Sequence, residues 1–186
     1  MTAGASRRPP EAVLEHLSDG ADVIVGVANG EPARIVDAIE ASADRYRAVR
    51  LHQMFPLRKR RYVDGECPGL RHVSWFLSPP NRNAFHAGAC DLVPNNFSDV
   101  PHLMRSLKPA LVVTAVSPLD RHGYFSLGSN AEYVAAFIGE LPFFVEMNPR
   151  MPRTFGENQI HVARASSSGR STTRTIHGPS RASPRW

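Results

Sequence analysis

Cysteine is scarce in this chain of 186 residues: Cys67 and Cys90 are the only two. Neither stands in a CxxC pair or in a Cys/His cluster with zinc-ligand spacing, which excludes a metal site legible from sequence. His86 and Cys90 are four apart, but two ligands do not make a site, so no metal is expected. Reduced thiols of the kind found in the cytosol are the expectation, with a single disulfide left open. Long apolar runs are also missing. The longest, residues 110–116, is interrupted by Thr114 and falls far short of the roughly 20 residues a membrane span requires. The first ten residues carry Arg7 and Arg8 with no apolar stretch after them, so they do not read as a secretory signal. A cytoplasmic protein with no membrane partner is expected. No internal repeat is present.

Acidic residues are absent from Ala163 onward, while Arg164, Arg170, Arg174, Arg181 and Arg185 all fall there. Removing those five from the 22 Lys+Arg leaves 17, equal to the 17 Asp+Glu of the chain. The formal charge of +5 therefore belongs to the tail and not to a basic binding face, and no nucleic-acid partner is expected. Ser, Thr, Gly and Pro dominate that tail, and it cannot bury enough apolar surface to offset the entropy of ordering it. The organisation read from this is a flexible N-terminus (1–10), one domain (11–162) and a disordered tail (163–186), whose composition resembles that of a shifted reading frame in a G+C-rich gene.

What remains alternates short β-rich runs with helical patterns, the signature of an α/β fold with a mostly parallel sheet and flanking helices. Strands are expected at 22–27, 46–52, 72–77, 110–116 and 142–145. Helices are expected near 13–17, from Pro32 at its first position to about Ser42, at 81–88, at 98–107 with Ser98 as N-cap, and at 131–138.

Three turns follow predicted strands at their C-terminal ends, where open α/β sheets place ligands. They are Asn29-Gly30-Glu31-Pro32, the loop from Ser117 to Gly128, and Glu146-Met147-Asn148-Pro149-Arg150-Met151-Pro152. The first leads directly into a helix, so its backbone N–H groups could meet a carboxylate or a thioester oxygen, though Gly and Pro at such junctions are also ordinary punctuation. Glu31 is equally explained by the helix dipole. Ser117, Asp120 and His122 are too close along one loop to converge as a hydrolytic triad. Arg58-Lys59-Arg60-Arg61 reads first as a solvated loop and second as a phosphate contact.

These turns together resemble the acetyl-CoA hydrolase/transferase family, which includes acetate and 4-hydroxybutyrate CoA-transferases. The resemblance rests on Gly26-Val27-Ala28-Asn29-Gly30-Glu31-Pro32, on Val93-Pro94-Asn95-Asn96-Phe97-Ser98, on the loop from Ser117 to Gly128, and on the run from Glu146 to Gly156. It covers about residues 10–162 and stops after Val162. It implies one half of a two-domain CoA-transferase-like fold, with acyl-CoA and a small carboxylate as substrates and no bound cofactor. It also implies a nucleophilic glutamate in a second half, which attacks the thioester to give a mixed anhydride and then a glutamyl-CoA thioester. No catalytic residue is therefore assigned here, and a chain inactive by itself is the expectation. Gly30, Glu31, Ser117, His122 and Asn148 are expected to line the substrate cleft as shaping and orienting groups. A second domain, a separate subunit completing the site, a homo-oligomer, and a non-enzymatic fragment or small-molecule binding module all stay open at this point.

Overall fold

The computed structural model describes residues 8–162 and, as backbone, the strand at 174–177. Six parallel strands form the sheet of the body: β1 (Asp22–Val25), β2 (Val49–Gln53), β3 (Leu70–Ser74), β4 (Cys90–Leu92), β5 (Leu111–Val116) and, after a short strand β6 (Tyr124–Ser126), β7 (Phe143–Met147). β6 pairs antiparallel with β8 (Gln159–His161) in a separate two-stranded sheet. β9 (Arg174–His177) adds to the open edge of β7, giving the order β4-β3-β2-β1-β5-β7-β9. That strand lies inside the segment read as a disordered tail, and the rest of that reading falls on residues outside those described.

Central parallel strands are covered on both faces, which is why β1 and β5 are apolar at nearly every position and buried throughout. Alternate residues serve opposite faces. Val23, Val25, Leu111 and Val113 pack with the first 3-10 helix (Pro10–His16) and with α1 (Ala33–Ala41). Ile24, Val112 and Val116 pack on the other side, with α3 (Val100–Ser106), the 3-10 turn Tyr133–Phe137 and the β6/β8 pair.

Several boundaries differ from expectation for local reasons. Pro32 is the N-cap of α1 and not its first residue; its ring offers no capping oxygen. α2 runs Pro79–His86, two residues earlier than read, because the Ser78/Asn81 capping box and the two prolines fix its start. Ser98 is not the cap of α3: it lies in a 3-10 turn, Phe97–Asp99, and Asp99 stands at the N-cap. The helix expected at 131–138 is the shorter 3-10 turn, and β4, β6 and β8, of three residues each, were not read as strands. Cys67 and Cys90 are free and buried. Among the described residues no helix is long and apolar enough to cross a membrane, and no cluster of three metal-ligating side chains occurs.

Candidate functional site

The chain leaves β1 through β2, β3 and β4 in one direction and returns to add β5 on β1's other side. The β1/β5 boundary is thus the switch point at which open α/β sheets open a crevice beyond the strand ends. Both loops that leave it are ones singled out from sequence: the turn after β1, and the loop after β5.

The turn after β1 is tight. Ala28 is held at φ +48°, Gly30 N–H donates to Val27 O at 2.7 Å, and Glu31 N–H donates to Ala28 O at 3.2 Å. Thr114 of β5 donates its hydroxyl to Gly30 O at 3.2 Å. Gly30 is buried, and a Cβ there would meet Asn130 Cβ at 2.9 Å, so the turn and the 3-10 turn Gly128–Asn130 are in direct contact.

Glu31 is 4 % exposed and holds a polar network beneath the turn. Its carboxylate accepts from Arg60 Nε at 2.9 Å and Nη2 at 2.5 Å, and from Gln53 Nε2 at 2.8 Å. Arg60 continues to Asp37 and Glu40 of α1, and Tyr62 donates its hydroxyl to Gln53. Burial alone would lower the pKa of Arg60, but Glu31 and Asp37 outweigh it and hold the guanidinium charged. The solvated reading of the basic run therefore fails at Arg60, whose side chain is 5 % exposed, and fits Lys59, at 88 %.

At the start of α1 the N–H of Arg34 is turned to the protein itself. Glu146, at the end of β7, accepts from Arg34 N–H at 2.9 Å and so supplies the cap that Pro32 cannot. Burial raises the pKa of Glu146 and the helix N–H groups oppose it.

Ser117 is fully buried; its hydroxyl donates to Pro118 O at 3.0 Å and accepts from Ser126 N–H at 2.9 Å, fixing β6 to the end of β5. His122 is exposed, and Asp120 Oδ1 accepts from the N–H groups of His122 and Tyr124 at 2.9 and 2.8 Å. Ser117 thus bonds only within the loop and to β6, and Asp120 to its own loop and to Arg153 at 3.4 Å, in keeping with the rejection of a triad. Asn148, half-buried, accepts from Arg150 N–H at 2.9 Å and closes the turn after β7.

One residue missed from sequence is Glu132. Its carboxylate accepts from Val27 N–H at 3.1 Å and Val134 N–H at 2.9 Å, while Tyr133 donates to Val25 O at 2.6 Å. This dipeptide clamps the turn after β1 from the far side of the sequence. The signal was present only as a lone acid ahead of the apolar Tyr133-Val134-Ala135-Ala136-Phe137. Burial pushes the Glu132 carboxyl up to about 7, against the pull of its two N–H donors.

A group raised in the folded state favours folding below its unfolded value and withdraws that support as pH rises through the folded one. Relative to a Glu132→Gln variant, wild-type unfolding free energy is expected to fall by up to about 3 kcal/mol between pH 4.5 and 7 and to level off above. His52 and His72, whose pKa values burial lowers, the latter to about 4, drive stability the other way over part of this range, but they are present in both proteins and cancel in the difference. Denaturant titrations of both at intervals of half a pH unit check this; a difference flat from pH 4.5 to 8 would contradict it.

Phe55, at φ +57°, and Phe76 follow β2 and β3, stack with centroids 6.1 Å apart and are exposed. They extend the C-terminal rim of the sheet as an apolar surface.

The profile of the family described as "Acetyl-CoA hydrolase/transferase N-terminal domain" matches residues 7–176, running past Val162, where the sequence reading ended the resemblance. Succinyl-CoA:cyclohexane-1-carboxylate CoA transferase of Geobacter metallireducens is 35% identical over 136 residues, covering 72% of this chain and 31% of its own. 4-Hydroxybutyrate coenzyme A transferase of Clostridium kluyveri is 30% identical over 158 residues, covering 82% and 37%. The chain thus spans about a third of the length of these relatives. Among solved structures, RipA from Yersinia pestis superposes with a TM-score of 0.78 at 24% identity, over 96% of this chain and 44% of that one; this likeness concerns the fold.

Proposed function

Because the chain belongs to the acetyl-CoA hydrolase/transferase family through its N-terminal domain, we propose that it forms one wall of a cleft in which CoA passes between an acyl-CoA and a small carboxylate. The observation that carries this is the meeting of the turn after β1 with Thr114 of β5 and with Asn130, in the Gly128–Asn130 turn beyond β6, at the switch point of the sheet. The relatives' names supply the chemistry: each is a CoA transferase.

The residues of this wall are suited to orienting and not to bond-making. Ser117, Asn148 and Glu31 spend their polar atoms on the loops and on Arg60, and Gly30 lets the turn approach Asn130 closely. No carboxylate among them has the freedom that a nucleophile needs. The attacking glutamate belongs to a second domain or chain, as the resemblance implies. Its attack on the thioester breaks the C–S bond, releases CoA thiolate and leaves an acyl-glutamyl anhydride; thiolate returning to the glutamyl carbonyl expels the acyl carboxylate. The exposed Phe55/Phe76 surface supports a face that packs on something further.

Incubated by itself with acetyl-CoA and a carboxylate, the chain is expected to show no CoA exchange above the uncatalysed rate. Joining residues 1–162 to a family second domain should restore exchange, and replacing that domain's glutamate by alanine should abolish it. Ser117→Ala in the joined protein should reduce the rate without eliminating it, since its role is to hold the loop. Exchange by the unjoined chain that is lost in Ser117→Ala would overturn the reading.

A further inference from the structure

The turn after β1 is held in a conformation it would not keep by itself. Ala28, at φ +48°, donates its N–H to the carbonyl of Phe55, at φ +57°, across 3.2 Å. Both are L-residues in the left-handed region, which such side chains rarely enter and which persists where the surroundings impose it. The Glu132-Tyr133 dipeptide is what imposes it here. Tyr133 fixes the ends of two strands, donating to Val25 O at 2.6 Å and accepting from Met54 N–H at 3.3 Å. Glu132 adds the bond to the turn itself.

The two oxygens of Glu132 are divided between two parts of the fold. Oε2 accepts from Val134 N–H at 2.9 Å and caps the 3-10 turn to which both belong, whereas Oε1 accepts from Val27 N–H at 3.1 Å. Burial and these two N–H groups act on its ionisation, with no cation among them. The titratable groups on the elements around it are engaged elsewhere. Tyr133 is held by Val25 and Met54, Glu31 of the turn by Arg60 and Gln53, and His52 of β2 by Asp22 and Trp75. Arg105 of α3 is turned to Glu140 and Ala136 O, and Glu146 of β7 to Arg34 N–H.

A carboxylate can serve two donors, one on each oxygen. A carboxylic acid cannot, because its hydroxyl oxygen turns from acceptor to donor. Protonation must therefore give up one N–H. Val134 is the one kept, since it lies two positions from Glu132 in a turn that Tyr133 anchors to β1. Val27 has the longer bond, and its release also lets Ala28 leave the left-handed region. The Val27 bond in turn favours the charged form, so by linkage ionisation draws the turn in.

We propose that Glu132 is a proton-operated latch on the crevice: ionised, it grips the turn after β1 and the Tyr133–Phe137 turn together; protonated, it keeps the second and lets the first go. The latch stands on this geometry, while its meaning as control over a CoA cleft rests on the reading above. With the carboxyl titrating at about 7, the crevice is stiff on the alkaline side of neutrality and pliant on the acid side. Ionisation thus lowers the stability of the whole fold yet stiffens this one turn. The burden of a buried charge falls on the folded state at large, and the charge-assisted bond falls on Val27.

Proton–nitrogen NMR and hydrogen exchange on the full chain between pH 5.5 and 8.5 test it, each exchange rate being divided by that of an unstructured amide at the same pH. The amide protons of Val27 and Val134 should titrate with one midpoint near 7. Protection of Val27 should rise about tenfold with pH, the gain from a neutral to a charge-assisted bond. Glu132→Gln, which offers one acceptor at every pH, should hold Val27 at the acid level throughout. If that variant fails to fold, the wild-type titration decides by itself. Unlinked midpoints, or a Val27 protection that stays level or falls as pH rises, would overturn the latch. CoA is then titrated into both proteins, and the ratio of their dissociation constants cancels the ionisation of CoA and of every group they share. A ratio, variant over wild type, of about ten at pH 8.5 and near one at pH 5.5 is expected. A flat ratio beside a titrating Val27 would overturn the control of the cleft and leave the CoA reading standing. Absence of CoA binding by the unaltered chain would remove that reading and the control with it, and the exchange data would still decide the latch.

Discussion

Replacing Arg60 by methionine is expected to lower the unfolding free energy by about 3–5 kcal/mol, the range for a buried ion pair broken from one side. Glu31 has its side chain 1 % exposed and would be left with only Gln53 and the distant edge of Arg58, 3.5 Å away, as partners. Asp37 and Glu40 would lose their shared partner as well. The cost lies in the stranded carboxylate and not in the guanidinium itself. Arg60→Met combined with Glu31→Gln should therefore recover most of the loss, and the coupling read from the four-protein cycle should exceed about 2 kcal/mol. Chemical denaturation of the set checks it. Additive single effects would show that Arg60 contributes packing alone.

Gly26→Ala should be the other severe change. A methyl group there would stand 2.5 Å from Gly30 O, 2.6 Å from Thr114 Oγ1 and 2.9 Å from Gly30 C. Two of the three obstacles are backbone, so neither can rotate away. The turn after β1 must open, at a cost of about 3 kcal/mol by comparison with other overpacked interiors, and the Thr114–Gly30 bond that joins β5 to the turn is lost with it. Binding of CoA should fall together with stability. Gly20→Ala is the control: its Cβ would have nothing within 4 Å, and only its φ of +72° resists substitution, so about 1–2 kcal/mol is expected with ligand binding unchanged. Equal effects at the two positions would mean that contact at Gly26 is unimportant.

The central strands were legible because burial on both faces writes itself as a continuous apolar run, as in Leu111-Val112-Val113. The three-residue strands β4, β6 and β8 were not, since so short a segment shows no period and owes its conformation to the strand beside it. The turns at the ends of β1, β5 and β7 were located from sequence, yet the roles of their side chains were not. Arg60 is indistinguishable from Arg58 and Arg61 until Glu31, Asp37 and Glu40, lying 20 to 29 positions earlier in the chain, are brought around it. Glu132 is a similar case: a solitary acid acquires meaning only from Val27, 105 positions away.

The capping of α1 from β7 has a bearing on how the molecule is made. The N–H of Arg34 is answered by a carboxylate 112 positions further on, and the turn just before it by Glu132, 105 positions from Val27. The first β-turn-helix unit of the chain thus cannot reach its final energy while it alone has emerged from the ribosome. It must wait, with donors solvated and the turn unclamped, until some 150 residues are available. Synthesis from N- to C-terminus would bring this unit out long before its partners and finish it only with them, and a chain arrested before Glu146 would display its crevice as a loose loop.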